Sequence, residues 1–233
     1  MKIIIKDSYD ELSDLTVSTL VGTMTQDKRV NLSLTAGATP ALAYEKLVPF
    51  LKQNAHDLAN THYYNFDNIG DHEGGVTMQQ LDAQLYVPAG ITRENIHELT
   101  VHNYKTWDNK VANDGGLDLM LIGLGQDGHF CGNVPDFVDY EKYTYAVELA
   151  EMYEKTPELV AMFDGMPLPE YMVTMSLKSV LRVKRLVMIV NGKKKAHMVK
   201  QILGSLDKNV PSSFLQLHSN FTLILDKDAA SEL

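Results

Sequence analysis

Apolar and polar positions along the chain alternate between two kinds of stretch. Short β-rich blocks stand at KIIIK (2–6), RVNLSLT (29–35), HYYNFD (62–67), LDLMLIGL (117–124), RLVMIV (185–190) and FTLILD (221–226). Between them lie longer segments whose apolar residues recur at helical spacing, such as Leu12, Leu15, Thr19 and Leu20, or Leu42, Leu47, Val48 and Leu51. Polar residues fill the other faces of those segments. The βαβα order predicts an α/β fold with a mostly parallel sheet covered by helices. LDLMLIGL and RLVMIV are apolar nearly throughout, which fits central strands buried on both faces.

The segment 133–171, with Pro135, Pro157, Pro167 and Pro169 and the charged run ELAEMYEKTPEL, has the weakest periodicity. It reads as a long excursion between two core strands, a lid or helical flap. No repeat, low-complexity tract or linker divides the chain, so its 233 residues are expected to form a single domain.

Composition narrows the partners. Hydrophobic residues make up 45% and charged residues 22%, which is ordinary globular usage, and no apolar run approaches the roughly 20 residues of a membrane span. A net charge of -9 argues against a nucleic-acid partner. The N-terminus reads as a strand running into a helix rather than as a secretory signal. With the single Cys131 excluding an internal disulfide, the expected setting is the cytoplasm.

In open α/β sheets ligands bind outside the carboxyl ends of the strands, and four strand-to-helix junctions carry candidate chemistry. In SLTAGATP, small residues at Gly37, Ala38 and Thr39 let backbone N–H groups approach an anion at a helix N-terminus, a phosphate above all. The same stretch also reads as a plain turn with Thr39 as N-cap. In YYNFDNIGDHEGG, Asp67 stands where an aromatic strand stops and is a candidate general base, or else a turn cap. The adjacent Asp71, His72 and Glu73 are consecutive and do not converge as metal ligands.

In LMLIGLGQDGHF, Gly123, Gly125 and Gly128 free the chain to turn and leave Asp127 and His129 facing a pocket. There the carboxylate can orient the imidazole for proton transfer. Cys131 reads as a small buried thiol rather than a nucleophile. In VNGKKKAH, three lysines at a helix start oppose the macrodipole, and an anionic ligand would relieve them; a solvated basic face is the alternative.

Taken in order, these junctions resemble the glucosamine-6-phosphate isomerase/deaminase family, relatives of the 6-phosphogluconolactonases. The likeness runs from LTAGATP to FLQLHSNFTLILD, and its most specific part is Gly123, Gly125, Asp127, Gly128 and His129 followed by Asn133 and Pro135. It implies a Rossmann-like doubly wound sheet with helices on both faces, and aldose–ketose isomerisation of a phosphorylated sugar without metal or organic cofactor.

By the resemblance, Gly37, Ala38, Thr39 and Lys195 hold the phosphate, and Asp67 moves a proton between C2 and C1. Asp127 and His129 assist ring opening. The pattern departs at Val134, where deaminases carry Glu, and at Asn68, where they carry an acidic residue. No arginine in 133–171 matches the family's phosphate-binding one. Three functions stay open: a sugar-phosphate aldose–ketose isomerase, with or without deamination of glucosamine-6-phosphate, a 6-phosphogluconolactonase-like hydrolase, and a sugar-phosphate sensor without turnover.

Overall fold

Each of the six β-rich blocks contributes a strand to one sheet. The protein's computed structural model describes residues 1–70, 74–161, 163 and 167–233. The strands are β1 (Lys2–Lys6), β2 (Val30–Leu34), β3 (Thr61–Tyr64), β4 (Asp67–Ile69), β5 (Ile96–His97), β6 (Leu119–Ile122), β7 (Tyr145–Glu148), β8 (Tyr171–Thr174), β9 (Leu186–Val190) and β10 (Phe221–Asp226). The helices are α1 (Tyr9–Met24), α2 (Ala38–Gln53), α3 (Gly75–Leu81), α4 (Val87–Ala89), α5 (Tyr104–Asn113), α6 (Ala150–Lys155), α7 (Pro157–Ala161), α8 (Leu177–Val180) and α9 (Ala196–Ile202). A π-helical turn, Asp82–Tyr86, joins α3 to α4.

Seven strands form the main sheet in the order β1-β10-β9-β6-β2-β3-β5, and every neighbouring pair is parallel. From β2 the chain builds outward through β3 to β5, then returns to the other side of β2 with β6, β9 and β10. That reversal makes the carboxyl ends of β2 and β6 the topological switch point of a doubly wound sheet.

Along β6, Leu119 and Leu121 join the α1 and α2 side with Leu12, Leu20 and Leu47, while Met120 and Ile122 join the opposite side with Trp107 and Val199. Burial on both faces is why β6 and β9 are apolar throughout. Helix α1 starts where Ser8 Oγ accepts the Glu11 N–H at 3.2 Å, with Asp10 and Glu11 in its first turn.

The structure departs from the sequence reading in two places. The strand expected over HYYNFD stops at Tyr64, and Asp67 opens β4, which leaves the parallel sheet and pairs antiparallel with β8. The 133–171 excursion is also more than a flap. It carries β7, α6 and α7 and enters β8, and β4-β8-β7 form a second, antiparallel sheet. Tyr145, Val147, Leu149, Met152 and Met172 give that sheet a buried cluster of its own.

At the β3–β5 edge, His62 Nδ1 and His97 Nε2 share a hydrogen bond across 3.1 Å, their rings stacked. Burial lowers the His62 pKa, with the Arg29 charge adding to it. Burial, then Lys110 and His62, pushes His97 down to about 4. The unfolded chain therefore binds more protons than the native one between about pH 6.5 and 4, so stability falls as pH drops through that window. Urea unfolding between pH 7.5 and 4.5 should show this loss, and His97→Gln should show a smaller one.

Candidate active site

The loop after β2 is held from three sides. Thr35 N–H donates to Leu121 O at 3.0 Å, extending the β2–β6 ladder one residue past the strand. Tyr44 OH donates to Thr35 O at 2.5 Å. Gly37, at φ 105°, takes a backbone conformation that L side chains rarely adopt and is the N-cap of α2. Its N–H donates to Gln84 Oε1, and Gln84 Nε2 donates back to Gly37 O, each at 3.1 Å. The Tyr9 hydroxyl lies 3.0 Å from both Ala38 O and Thr39 O.

Gly37 thus shapes the loop while its own N–H is engaged. The N–H groups of Ala38 and Thr39 stand in the first turn of α2, ahead of any intrahelical carbonyl, and Pro40 has no N–H to give. Backbone N–H groups at the start of a 16-residue helix are donors of the kind that bind anions.

The loop after β6 builds an acid–base pair. His129 Nδ1 lies 2.6 Å from Asp127 Oδ1, which also accepts the His129 N–H at 3.1 Å. A Cβ at Gly125 would fall 2.2 Å from His129 Nδ1 and 2.5 Å from Asp127 Oδ1, so a side chain there would displace the pair. Gly128, at φ 86°, supplies the turn, and a Cβ there would meet Val210 Cγ1 at 2.9 Å. Burial pushes the Asp127 carboxyl up, but the His129 hydrogen bond and charge outweigh it and hold the group below its usual range. Asp127 is therefore ionised at neutral pH and fixes the ring through Nδ1.

Beyond the pair the chain is pinned to the second sheet. Gly132 N–H donates to Thr174 Oγ1 at 3.0 Å. The fully buried Asn133 donates to Phe130 O at 3.1 Å and Met175 O at 2.8 Å, and accepts from Tyr145 OH at 3.2 Å. Val134 packs with Ile69 and Phe137 against the apolar cluster of that sheet.

Asp67 faces this loop from β4. Thr77 Oγ1, on α3, donates to its Oδ1 at 3.2 Å. Burial pushes the Asp67 pKa up to about 7, against the weaker downward pull of Thr77 and the His129 charge. Asp67 in turn adds to the burial that raises the half-buried Cys131 thiol, which keeps it neutral and inert.

Of the three lysines, Lys193 and Lys194 are exposed and Lys195 turns inward, its Nζ donating to Leu124 O. Burial lowers the Lys195 ammonium pKa, and Asp127 partly restores it. Asp226 anchors that turn by accepting the Gly192 N–H at 3.0 Å.

Asp127, His129, Asp67 and Lys195 thus converge on the β6 loop, next to the β2 loop that leads into Ala38 and Thr39. The sequence pattern missed Tyr9, Tyr44, Thr77 and Gln84, which hold this constellation together. Tyr9 and Tyr44 look like core aromatics, and Thr77 and Gln84 lie in a segment with no motif. Asp71, His72 and Glu73 lie outside the described residues. Among the described residues no group of three or more His, Cys, Asp or Glu could hold a metal ion, and no helix is long and apolar enough to cross a membrane.

A parallel sheet with a paired aspartate and histidine and a helix N-terminus at its switch point is the arrangement of α/β enzymes that work at the carboxyl ends of their strands. The chain belongs to the family of glucosamine-6-phosphate isomerases and 6-phosphogluconolactonases, whose family model matches residues 6–224. It is 30% identical over 244 residues to a glucosamine-6-phosphate deaminase of Clostridium botulinum, covering 100% of this chain and 97% of that one. To the glucosamine-6-phosphate deaminase of Clostridium acetobutylicum it is 29% identical over 245 residues, covering 100% of both.

Among solved structures, a monomeric glucosamine-6-phosphate deaminase superposes with a TM-score of 0.83 at 24% identity over 100% of both chains. A 6-phosphogluconolactonase from Trypanosoma cruzi does so with a TM-score of 0.76 at 18% identity, over 100% of this chain and 96% of that one. These two likenesses bear on the fold. The resemblance and the α/β fold expected from the sequence are borne out.

The Asp67 pKa of about 7 sits above the ordinary 3.8, so the native state holds an extra proton across that interval. The stability this contributes is full below about pH 4 and is lost as pH rises through about 7. Asp67→Asn escapes the loss. Thermal unfolding should place the variant further above the wild type, or less far below it, at pH 8 than at pH 5.

Proposed function

We propose that this chain converts glucosamine-6-phosphate and water to fructose-6-phosphate and ammonia. The observation that carries the reading is a pair of carboxyl groups beside one imidazole with pKa values driven in opposite directions, Asp67 upward by burial and Asp127 downward by His129. Such a split separates a carbon base from a permanently ionised orienter. The curated relatives named as deaminases over the whole chain support the same substrate.

The phosphate sits on the Ala38 and Thr39 N–H groups with Lys195 as counter-charge, Gly37 fixing the turn. His129 carries the proton between ring and anomeric oxygens as the sugar opens to the aldehyde. Asp67 then takes the C2 proton as His129 gives a proton to O1, forming an enolamine with C1 bearing a hydroxyl and C2 the amine. Asp67 returns that proton to C1, leaving an imine at C2. Water adds to C2, and the amine leaves as ammonia.

A base with a pKa near 7 is strong enough to take the carbon proton and weak enough to give it back. No metal or organic cofactor enters this route. The single cysteine fits a cytoplasmic setting.

One observation favours a second reading, hydrolysis of a 6-phosphogluconolactone. Val134 lies in an apolar cluster, so Asp127 is the carboxylate that serves His129, and a His–Asp pair suffices to activate water.

Coupled assays on both substrates decide. Ammonia and fructose-6-phosphate should appear from glucosamine-6-phosphate, with kcat falling as pH drops below about 7. Asp67→Asn should lower kcat by about 100-fold or more. Lactone hydrolysis above background, without ammonia release and indifferent to Asp67→Asn, would replace the first reading by the second.

A further inference from the structure

We infer that Gln84 is a positioning residue that sets the phosphate seat relative to the base. Helix α2 begins without a side-chain cap of its own. Gln84 takes that place from another helix, reading both the N–H and the C=O of Gly37 at 3.1 Å each. A primary amide is a side chain that can donate to one peptide group and accept from it at once. Because Gly37 immediately precedes Ala38 and Thr39, the amide fixes the direction of the two N–H groups that would face the phosphate.

The helix that supplies Gln84 also touches the base. Thr77, seven residues earlier in the same helical segment and about 10 Å along it, donates to Asp67 Oδ1. Gln84 itself lies in the π turn Asp82–Tyr86 that follows α3. Such turns are rare and are often found at functional sites.

That turn is anchored on both sides. Arg93 donates two hydrogen bonds to the Asp82 carboxylate at 2.9 and 2.7 Å, and Leu81, Leu85 and Tyr86 are buried. At the start of α3, a Cβ on Gly75 would lie 2.4 Å from Gly70 O and from Asn68 Oδ1, so the helix is seated tightly on β4. One rigid segment therefore holds the base at one end and the anion seat at the other. It fixes the span between the phosphate and the carbon that loses its proton.

This inference rests on the proposed reading of the α2 N-terminus as the phosphate seat, and its test does not depend on the identity of the sugar. Gln84→Met keeps the length of the side chain and removes both hydrogen bonds. Calorimetry with inorganic phosphate should show affinity reduced about tenfold, the scale of two lost neutral hydrogen bonds. KM for glucosamine-6-phosphate should rise by a similar factor while kcat changes less than about threefold.

A merely structural role would instead lower the folded fraction, cutting kcat and leaving the phosphate affinity and KM of the folded molecules unchanged. If Gln84→Met does not fold, Gln84→Asn, too short to reach both groups of Gly37, carries the same expectation. Phosphate affinity and KM within twofold of wild type in the folded variant would overturn the inference. Wild type that binds phosphate but releases no ammonia would overturn the proposed reaction, while the Gln84 comparison still reads the seat.

Discussion

The pairing of β2 with β6 is the constraint on which the site depends. Both strands are parallel, so their carboxyl ends lie on one side of the sheet. The chain leaves β2 toward β3 and arrives at β6 only after the sheet has reversed direction. Two loops that diverge from adjacent strands leave a crevice between them. The Thr35 to Leu121 hydrogen bond carries the ladder into that crevice, setting the start of the α2 loop beside the start of the Asp127–His129 loop. Lys195 then reaches the same loop from β9 through Leu124 O.

The second sheet brings in the remaining group. Thr174 pairs with Asp67 across the β4–β8 ladder and accepts the Gly132 N–H, so one residue ties the base to the segment that follows His129. The same sheet also accounts for Val134. Where the family resemblance implies a carboxylate, the chain packs a side chain against Ile69 and Phe137, and a charge there would need a partner that an apolar cluster does not offer. In the proposed reaction the proton chemistry falls to Asp67 and the Asp127–His129 pair, whose two carboxyl groups burial and pairing drive apart in pKa.

Much of this was legible in the sequence because it is local. Strands buried on both faces show as unbroken apolar runs, and β1, β2, β6, β9 and β10 lie within blocks read from the pattern, while β3 starts one residue before its block. The glycines around Asp127 and His129 marked the loop, although Gly125 is required by the close approach of the pair and Gly128 by its turn, while Gly123 has open space around it. What escaped the pattern is non-local or short. β5 has two residues, and β7 and β8 have four each within a proline-rich stretch. Asp67 looked like the end of a strand because Tyr64 and Phe66 are apolar, when the chain had already crossed to another sheet. Gln84 meets Gly37 across 47 residues, and no spacing rule announces such a contact.

The central claim is that one crevice holds the phosphate on α2 and presents the sugar's C2 to Asp67. A crystal structure of the protein with glucosamine-6-phosphate bound tests it most directly. The account predicts phosphate oxygens within about 3.2 Å of the Ala38 and Thr39 nitrogens and of Lys195 Nζ, with C2 about 3.5 Å from the Asp67 carboxylate. A phosphate seated away from the α2 N-terminus, or a sugar whose C2 lies out of reach of Asp67, would contradict it.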